Sequence, residues 1–219
     1  MPWTEIAKAD AGGRELALYR GEDGVYMIRA GGLELMNGRQ HRSEDLLGEM
    51  AARFAPGRSP HILVGGLGLG HTLAALVGAL EGRGKVTVAE ISADVIDWYE
   101  RHFEPALLVA RPDSLRIRHG DVAALLGSGQ RYEAIVLDVD NGPQALVAAS
   151  NDWLYGAEGL AALRSSLSAN GVLLVWSGFE DAGFVVRARD AGFSVDSQSI
   201  PLAARRSELC HFIYRLTRA

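Results

Sequence analysis

The stretch His61-Ile62-Leu63-Val64-Gly65-Gly66-Leu67-Gly68-Leu69-Gly70-His71-Thr72 decides how the rest of the 219-residue chain is read. An apolar β run breaks into glycines at Gly66, Gly68 and Gly70, then enters a helical segment. Glycine lets the backbone approach a ligand closely, and a helix N-terminus offers free N–H groups. Twenty residues after Gly70, a second β run, Val86-Thr87-Val88-Ala89, ends on Glu90. A carboxylate at the tip of that strand can accept two hydrogen bonds from a ribose diol. Together these features predict a nucleoside-binding site.

Outward from the loop, strands and helices alternate. Strand 61–65 precedes helix 71–80, strand 85–90 precedes helix 92–103, and strand 115–118 precedes a short helix at 121–126. Strand 134–138 runs into a loop. A helix at about 156–168 is expected to stop at Asn170-Gly171. Strand 172–176, helix 181–191 and strands 193–199 and 208–215 complete the pattern. Repeated βα units imply a parallel sheet with helices on both faces, an α/β fold. The last two strands have only a short connection, so they should pair antiparallel. Upstream, the runs at 15–20, 25–29 and 33–36 are separated by glycine turns and suggest a β meander. Ser43 to Phe54 carries a helical apolar stripe, and Pro56 to Pro60 mark a boundary. Two units are expected: a meander with its linking helix at 1–55, and a nucleoside-binding unit at 56–219.

Composition narrows the function. A hydrophobic content of 48% against 22% charged residues is globular. The net charge of −5 argues against nucleic acid, whose phosphates need clustered Lys and Arg. The single Cys210 rules out an internal disulfide framework, and the six histidines show no paired ligand spacing, so no metal is expected. The N-terminal Pro2, Trp3 and Glu5 do not read as a basic-then-apolar leader, and no apolar run reaches the length of a membrane span. The expectation is a soluble, cytoplasmic protein without membrane contact.

Three chemistries use glycine loops of this kind. A dinucleotide fingerprint fails because its third glycine position is His71. A P-loop has the right spacing from Gly65 to Thr72, but His71 stands where a lysine should meet the phosphates, and imidazole cannot replace a fixed ammonium. The G-x-G-x-G loop of S-adenosylmethionine-dependent transferases fits best. It expects an acid closing the second strand (Glu90), a polar residue after the third (Gly120-Asp121) and a substrate-facing segment after the fourth (Asp138-Val139-Asp140-Asn141-Gly142-Pro143). The structural alternative is a turn that serves strand–helix packing only, with Glu90 and Asp121 as helix-start acids.

Most of the chain resembles the spermidine synthase family. Asn37-Gly38-Arg39-Gln40 is similar to its D-G-x-x-Q turn, and Leu47-Gly48-Glu49 stands at its Tyr-His-Glu element. Val86-Thr87-Val88-Ala89-Glu90-Ile91 with Val95-Ile96-Asp97 resembles its V-E-I-D-x-x-V-I-D run, and Gly120-Asp121 matches its G-D. Asp138 to Pro143 looks like a contracted D-S-S-D-P-x-G-P, and Leu154-Tyr155-Gly156-Ala157-Glu158-Gly159 is similar to L-Y/F-x-x-E-F. The resemblance implies a β meander before a seven-stranded Rossmann-like methyltransferase fold, mostly parallel with an antiparallel last strand, and a homodimer. It implies S-adenosylmethionine or its decarboxylated form as donor, and aminopropyl transfer to a diamine. Glu90 would hold the ribose, Asp121 the adenine amine and Gln40 the thioether side. Gly66, Gly68, Gly70, Ile91, Gly120 and Asp138 would complete the donor site.

Departures shift the expected reaction. The loop acid that would face an aminopropyl ammonium is Leu69 here, and the Tyr-His pair is Leu47-Gly48. Nucleoside contacts are kept while aminopropyl contacts are lost, which favours methyl transfer to a small molecule, an amine being one candidate, over aminopropyl transfer. A silent nucleoside-binding dimer is the third reading. Asp138 is the expected base, with Asp140 beside it, although both are also turn-forming acids. Trp153 and Tyr155 are candidate walls of the acceptor pocket, against a core role for each. Trp176 carries the same ambiguity, and His71 reads as a packing or capping residue.

Overall fold

The first four strands form an antiparallel meander in sequential order: β1 (Trp3–Asp10), β2 (Glu15–Gly21), β3 (Tyr26–Ala30) and β4 (Leu33–Asn37). The computed structural model describes residues 2–10, 15–104, 112–139, 151–202 and 209–219, without the side chains of 151–152. Strand β1 is an addition to the three runs expected. Its sequence, WTEIAKAD, alternates weakly because an edge strand buries little on either side. Leu16, Leu18, Ile28 and Ala30 turn inward from the meander.

Helix α1 (Arg42–Phe54) follows and crosses α2 (His71–Leu80). A Cβ on Gly48 would lie 2.4 Å from the Thr72 carbonyl oxygen and 2.7 Å from Leu76 N. Glycine in mid-helix costs about 1 kcal/mol, and here that cost brings two helix backbones into contact.

The larger sheet contains β5 (His61–Gly65), β6 (Lys85–Glu90), β7 (Leu115–His119), β8 (Tyr132–Leu137), β9 (Leu167–Ser177), β10 (Phe193–Pro201) and β11 (Cys210–Arg218). Their spatial order is β10-β11-β9-β8-β5-β6-β7. Strands β9, β8, β5, β6 and β7 are parallel, while β11 runs antiparallel to both β9 and β10. The last strand is therefore reversed, as expected, and it inserts between its neighbours. The chain steps outward from β5 to β7 and then returns to β8 on the other side of β5. That reversal opens a crevice at the strands' C-terminal ends, where open α/β sheets bind ligands.

Alternate residues of the central strands feed two cores. Ile62, Val64, Ala134, Val136, Val172 and Leu174 join the core that also takes the meander and α1. Leu63, Ile135, Leu137, Leu173 and Val175 join the other, under α5 (Ala157–Ser166) and α6 (Ala182–Asp190). Between β6 and β7, α3 (Ala93–Trp98) widens into a π-helix over Tyr99–Phe103, and the segment after β7 is a 3-10 turn, Val122–Leu125. The short α4 (Asn151–Leu154) precedes α5.

Asn170-Gly171 does not stop a helix. Helix α5 ends at Ser166, and both residues lie within β9, where the pairing with β8 slips between Tyr132 and Ala134. A Cβ at Gly171 would sit 2.9 Å from the Tyr132 carbonyl, so the glycine permits close strand approach. No helix among the described residues is long and apolar enough to cross a membrane.

Candidate active site

The glycine loop leaves β5 at the crevice, and each loop glycine has a steric reason within the protein. All three have positive φ: +89° at Gly66, +50° at Gly68 and +87° at Gly70. A Cβ would meet the Asp138 carbonyl oxygen at 2.1 Å from Gly66, Met36 Sδ at 2.7 Å from Gly68, and the Tyr99 ring at 2.2 Å from Gly70. The packing alternative for these glycines is thus physically real.

Glu90 is tied to the same loop. Its Oε2 accepts from Leu67 N at 2.9 Å and its Oε1 from Ser92 N at 2.9 Å. Burial pushes its pKa up, opposed by the backbone N–H groups of Ser92, Leu67, Gly68 and Ile91. Ile91, next along, is 62% exposed, unusual for a large aliphatic side chain. Asp121 caps the 3-10 turn, accepting from Ala123 N at 2.8 Å. Gly120 has φ +148°, and a Cβ there would meet nothing within 4 Å. Unlike the loop glycines, it borders open space.

Asp138 follows directly on β8, across the crevice. Thr72, at the start of α2, donates from Oγ1 to Asp138 Oδ2 at 2.7 Å. Burial, and next the Glu44 charge, push the Asp138 carboxyl up to about 7, against the lowering effect of that hydrogen bond. Glu44 on α1 is itself raised by burial. Both carboxylates line one small cavity of about 70 Å³, whose walls include Leu67, Leu69 and Trp176. A second cavity, about 320 Å³, shares Glu44 and Trp176 and adds Glu34, Gln40, Phe179 and His211. Gln40 is exposed at its rim.

Behind Glu44 lies a network that sequence reading missed. Ser43 Oγ donates to Glu44 Oε2 at 2.5 Å, lies 2.7 Å from His211 Nδ1, and accepts from Trp176 Nε1 at 3.1 Å. The acidic first turn of α1 was visible, but nothing local showed that β11 would deliver His211 to it.

Two histidines without ligand spacing in the sequence also come together. His41 and His71 stack with centroids 4.1 Å apart and planes 6° apart, and His41 Nδ1 pairs with Asp45 at 2.7 Å. Donor atoms of the three residues lie within 4.8 Å of one another. The lone pairs of stacked imidazoles lie in parallel planes and do not converge on one ion.

The aromatic candidates lie elsewhere. Tyr155 is a core residue, 1% exposed, edge-on to Phe184 beneath the opposite face of the sheet. Trp153 is 40% exposed and its indole donates to Glu158 at 3.2 Å. Neither lines the two cavities. Trp176 lines both. Asp140, Asn141 and Pro143 fall outside the described residues.

No protein-family model and no curated protein sequence matches the chain. Among solved structures it is similar to the spermidine synthase from Thermotoga maritima, with a TM-score of 0.75 and 14% identity over 97% of this chain and 72% of that one. It is similar too to a spermidine synthase in complex with the transition state analogue AdoDATO, with a TM-score of 0.73 and 14% identity over 97% of this chain and 72% of that one. A meander leading into a seven-stranded sheet with one reversed strand is the shared plan. The chain has the fold of these spermidine synthase structures.

Proposed function

We propose that this protein transfers an aminopropyl group from a decarboxylated adenosylmethionine-type donor to a small amine. One observation carries the reading: Glu44 and Asp138 share an apolar-walled cavity beside the glycine loop. Two carboxylates raised by burial, Asp138 also by the Glu44 charge, gain most from a cationic guest. Leu69 pointed towards methyl transfer because it removes an acid from the loop. Glu44 restores an acid to the same cavity from α1, and the structural neighbours are spermidine synthases.

The nucleoside half of the donor fits the crevice edge. Glu90, closing β6 beside the glycine loop, is placed for a ribose diol, and Gly120 leaves open space beside Asp121 and exposed Ile91 for a base. Backbone at Gly66, Gly68 and Gly70 would face the sugar and sulfur, with Gln40 on the thioether side. The donor supplies a carbon bonded to a positively charged sulfur, a good leaving group. The protein's work is then alignment and proton removal. Asp138, at about 7, is poised to take a proton from the acceptor ammonium, and Asp140 retains only its sequence-based expectation as a partner. Trp153 and Tyr155 have no part in this reading. A homodimer belongs to it, since Ile6 and Leu33 of the meander stay 41% and 71% exposed; light scattering tests that assembly.

The deciding experiment compares two donors with putrescine as acceptor. Spermidine formed from the decarboxylated donor, lost about 10²–10⁴-fold in Asp138→Asn, supports the reading. Methylated product from S-adenosylmethionine alone would replace it with methyl transfer. Adenosyl ligand bound without turnover would point to a silent module, and no binding of either donor would remove the nucleoside site.

A further inference from the structure

The Ser43 hydroxyl has one proton and two lone pairs to divide among three partners. Trp176 Nε1 can only donate, so it holds one lone pair permanently. The remaining partners are Glu44 Oε2 at 2.5 Å and His211 Nδ1 at 2.7 Å. One of them receives the Ser43 proton and the other must supply one. If Glu44 is ionised it takes the Ser43 proton, and His211 must carry a proton on Nδ1. If Glu44 is protonated it donates to Ser43, and the Ser43 proton turns to a bare Nδ1. A proton therefore resides on Glu44 or on His211 Nδ1, and the hydroxyl swings between them.

From this accounting we infer that Glu44, Ser43 and His211 form a proton relay connecting the two cavities, with Ser43 and His211 as positioning residues behind the Glu44 carboxylate. Glu44 lines both cavities, Asp138 the smaller and His211 the larger. Ser43 is only 3% exposed, so water does not compete for its hydroxyl. Trp176 braces the arrangement through its indole N–H and an edge-on contact with the His211 ring at 4.7 Å.

The relay's use rests on the amine reading of the site. An ammonium acceptor sheds one proton, its nitrogen bonds to the donor carbon, and the C–S bond breaks with its electron pair on sulfur. The product nitrogen is again an ammonium, so one proton leaves per turnover. Asp138 and Glu44 receive that proton in the small cavity, and Ser43 passes it to His211 at the larger one. Charged and titratable groups around the relay are His41 just before α1, Asp45 on α1, His71 on α2, Glu34 on β4 and Asp138 just after β8.

Side-chain ¹⁵N resonances of His211, followed against pH in the whole protein without ligand, test the relay directly. In the wild type, Nδ1 should switch between its protonated and bare signatures as Glu44 titrates. Ser43→Ala and Glu44→Gln should each abolish that switch, with melting curves confirming the fold; Glu44→Gln keeps the test open if Ser43→Ala does not fold. If the His211 nitrogens titrate identically in wild type and variants, the relay is absent. Turnover gives the second reading: Ser43→Ala should lower kcat about 10–100-fold and alter its pH profile, with acceptor KM within about twofold. An unchanged kcat profile would overturn the relay. Loss of aminopropyl turnover in the wild type, with tautomer coupling intact, would overturn the function and leave the relay standing.

Discussion

Thr72 Oγ1 donates to Asp138 Oδ2 across 2.7 Å, tying the first turn of α2 to the tip of β8. This bond favours the ionised carboxylate and works against both burial and the Glu44 charge. Thr72→Val removes it at nearly constant volume. The Asp138 midpoint should then rise above its value of about 7, by roughly one pH unit. Glu44→Gln should move it the other way. Carboxyl ¹³C titrations of the two variants check the opposite signs.

Stability should carry the mark of Asp138. The native carboxyl holds its proton up to about 7, whereas the unfolded group releases it near 3.8. Between those values the native state binds more protons, so this group's stabilising contribution is lost as pH rises and is level above. Asp138→Asn has no such window. Its melting temperature relative to wild type should therefore improve from pH 5 to pH 8, which thermal denaturation at the two pH values measures.

Gly66 and Gly120 should respond differently to alanine. At Gly66 the strained φ adds to backbone overlap with Asp138, for a loss of about 2–5 kcal/mol. At Gly120 only the φ strain remains, about 1–2 kcal/mol. The open space there is proposed for the adenine, so Gly120→Ala should weaken donor binding at least tenfold while the protein stays folded. Denaturant titration and calorimetric donor binding separate the two effects.

Leu69 is 5% exposed in the wall of the small cavity. Leu69→Asp would add a carboxylate facing the donor's ammonium, and a charge-assisted hydrogen bond is worth about 1.5–3 kcal/mol. After the cost of burying the new charge, preference for the decarboxylated donor over S-adenosylmethionine should rise about tenfold. The ratio of the two dissociation constants is the measurement. An unchanged ratio would place the donor's ammonium away from residue 69.

Local signals made the backbone plan legible. Strand 61–65, helix 71–80 and strand 85–90 occur at the expected residues because apolar periodicity and glycine breaks act over short spans. Asn170-Gly171 misled for a related reason: a glycine required by a neighbouring strand looks like a glycine that ends a helix. Strand β1 was missed because an exposed edge needs little apolar alternation.

The sequence by itself determined the glycine turn, the placement of Glu90, Asp121 and Asp138 after their strands, and the reversal of the final strand. Each follows from the order of elements and from side-chain periods that need no distant partner. Only the tertiary structure decided that Glu44 would share a cavity with Asp138, and that Ser43 would meet His211 across 168 residues. The first depends on α1 crossing α2 closely at Gly48, and the second on β11 inserting beside β9 so that His211 reaches Trp176. Convergence of this kind is set by how whole elements pack, and no short window of sequence encodes it.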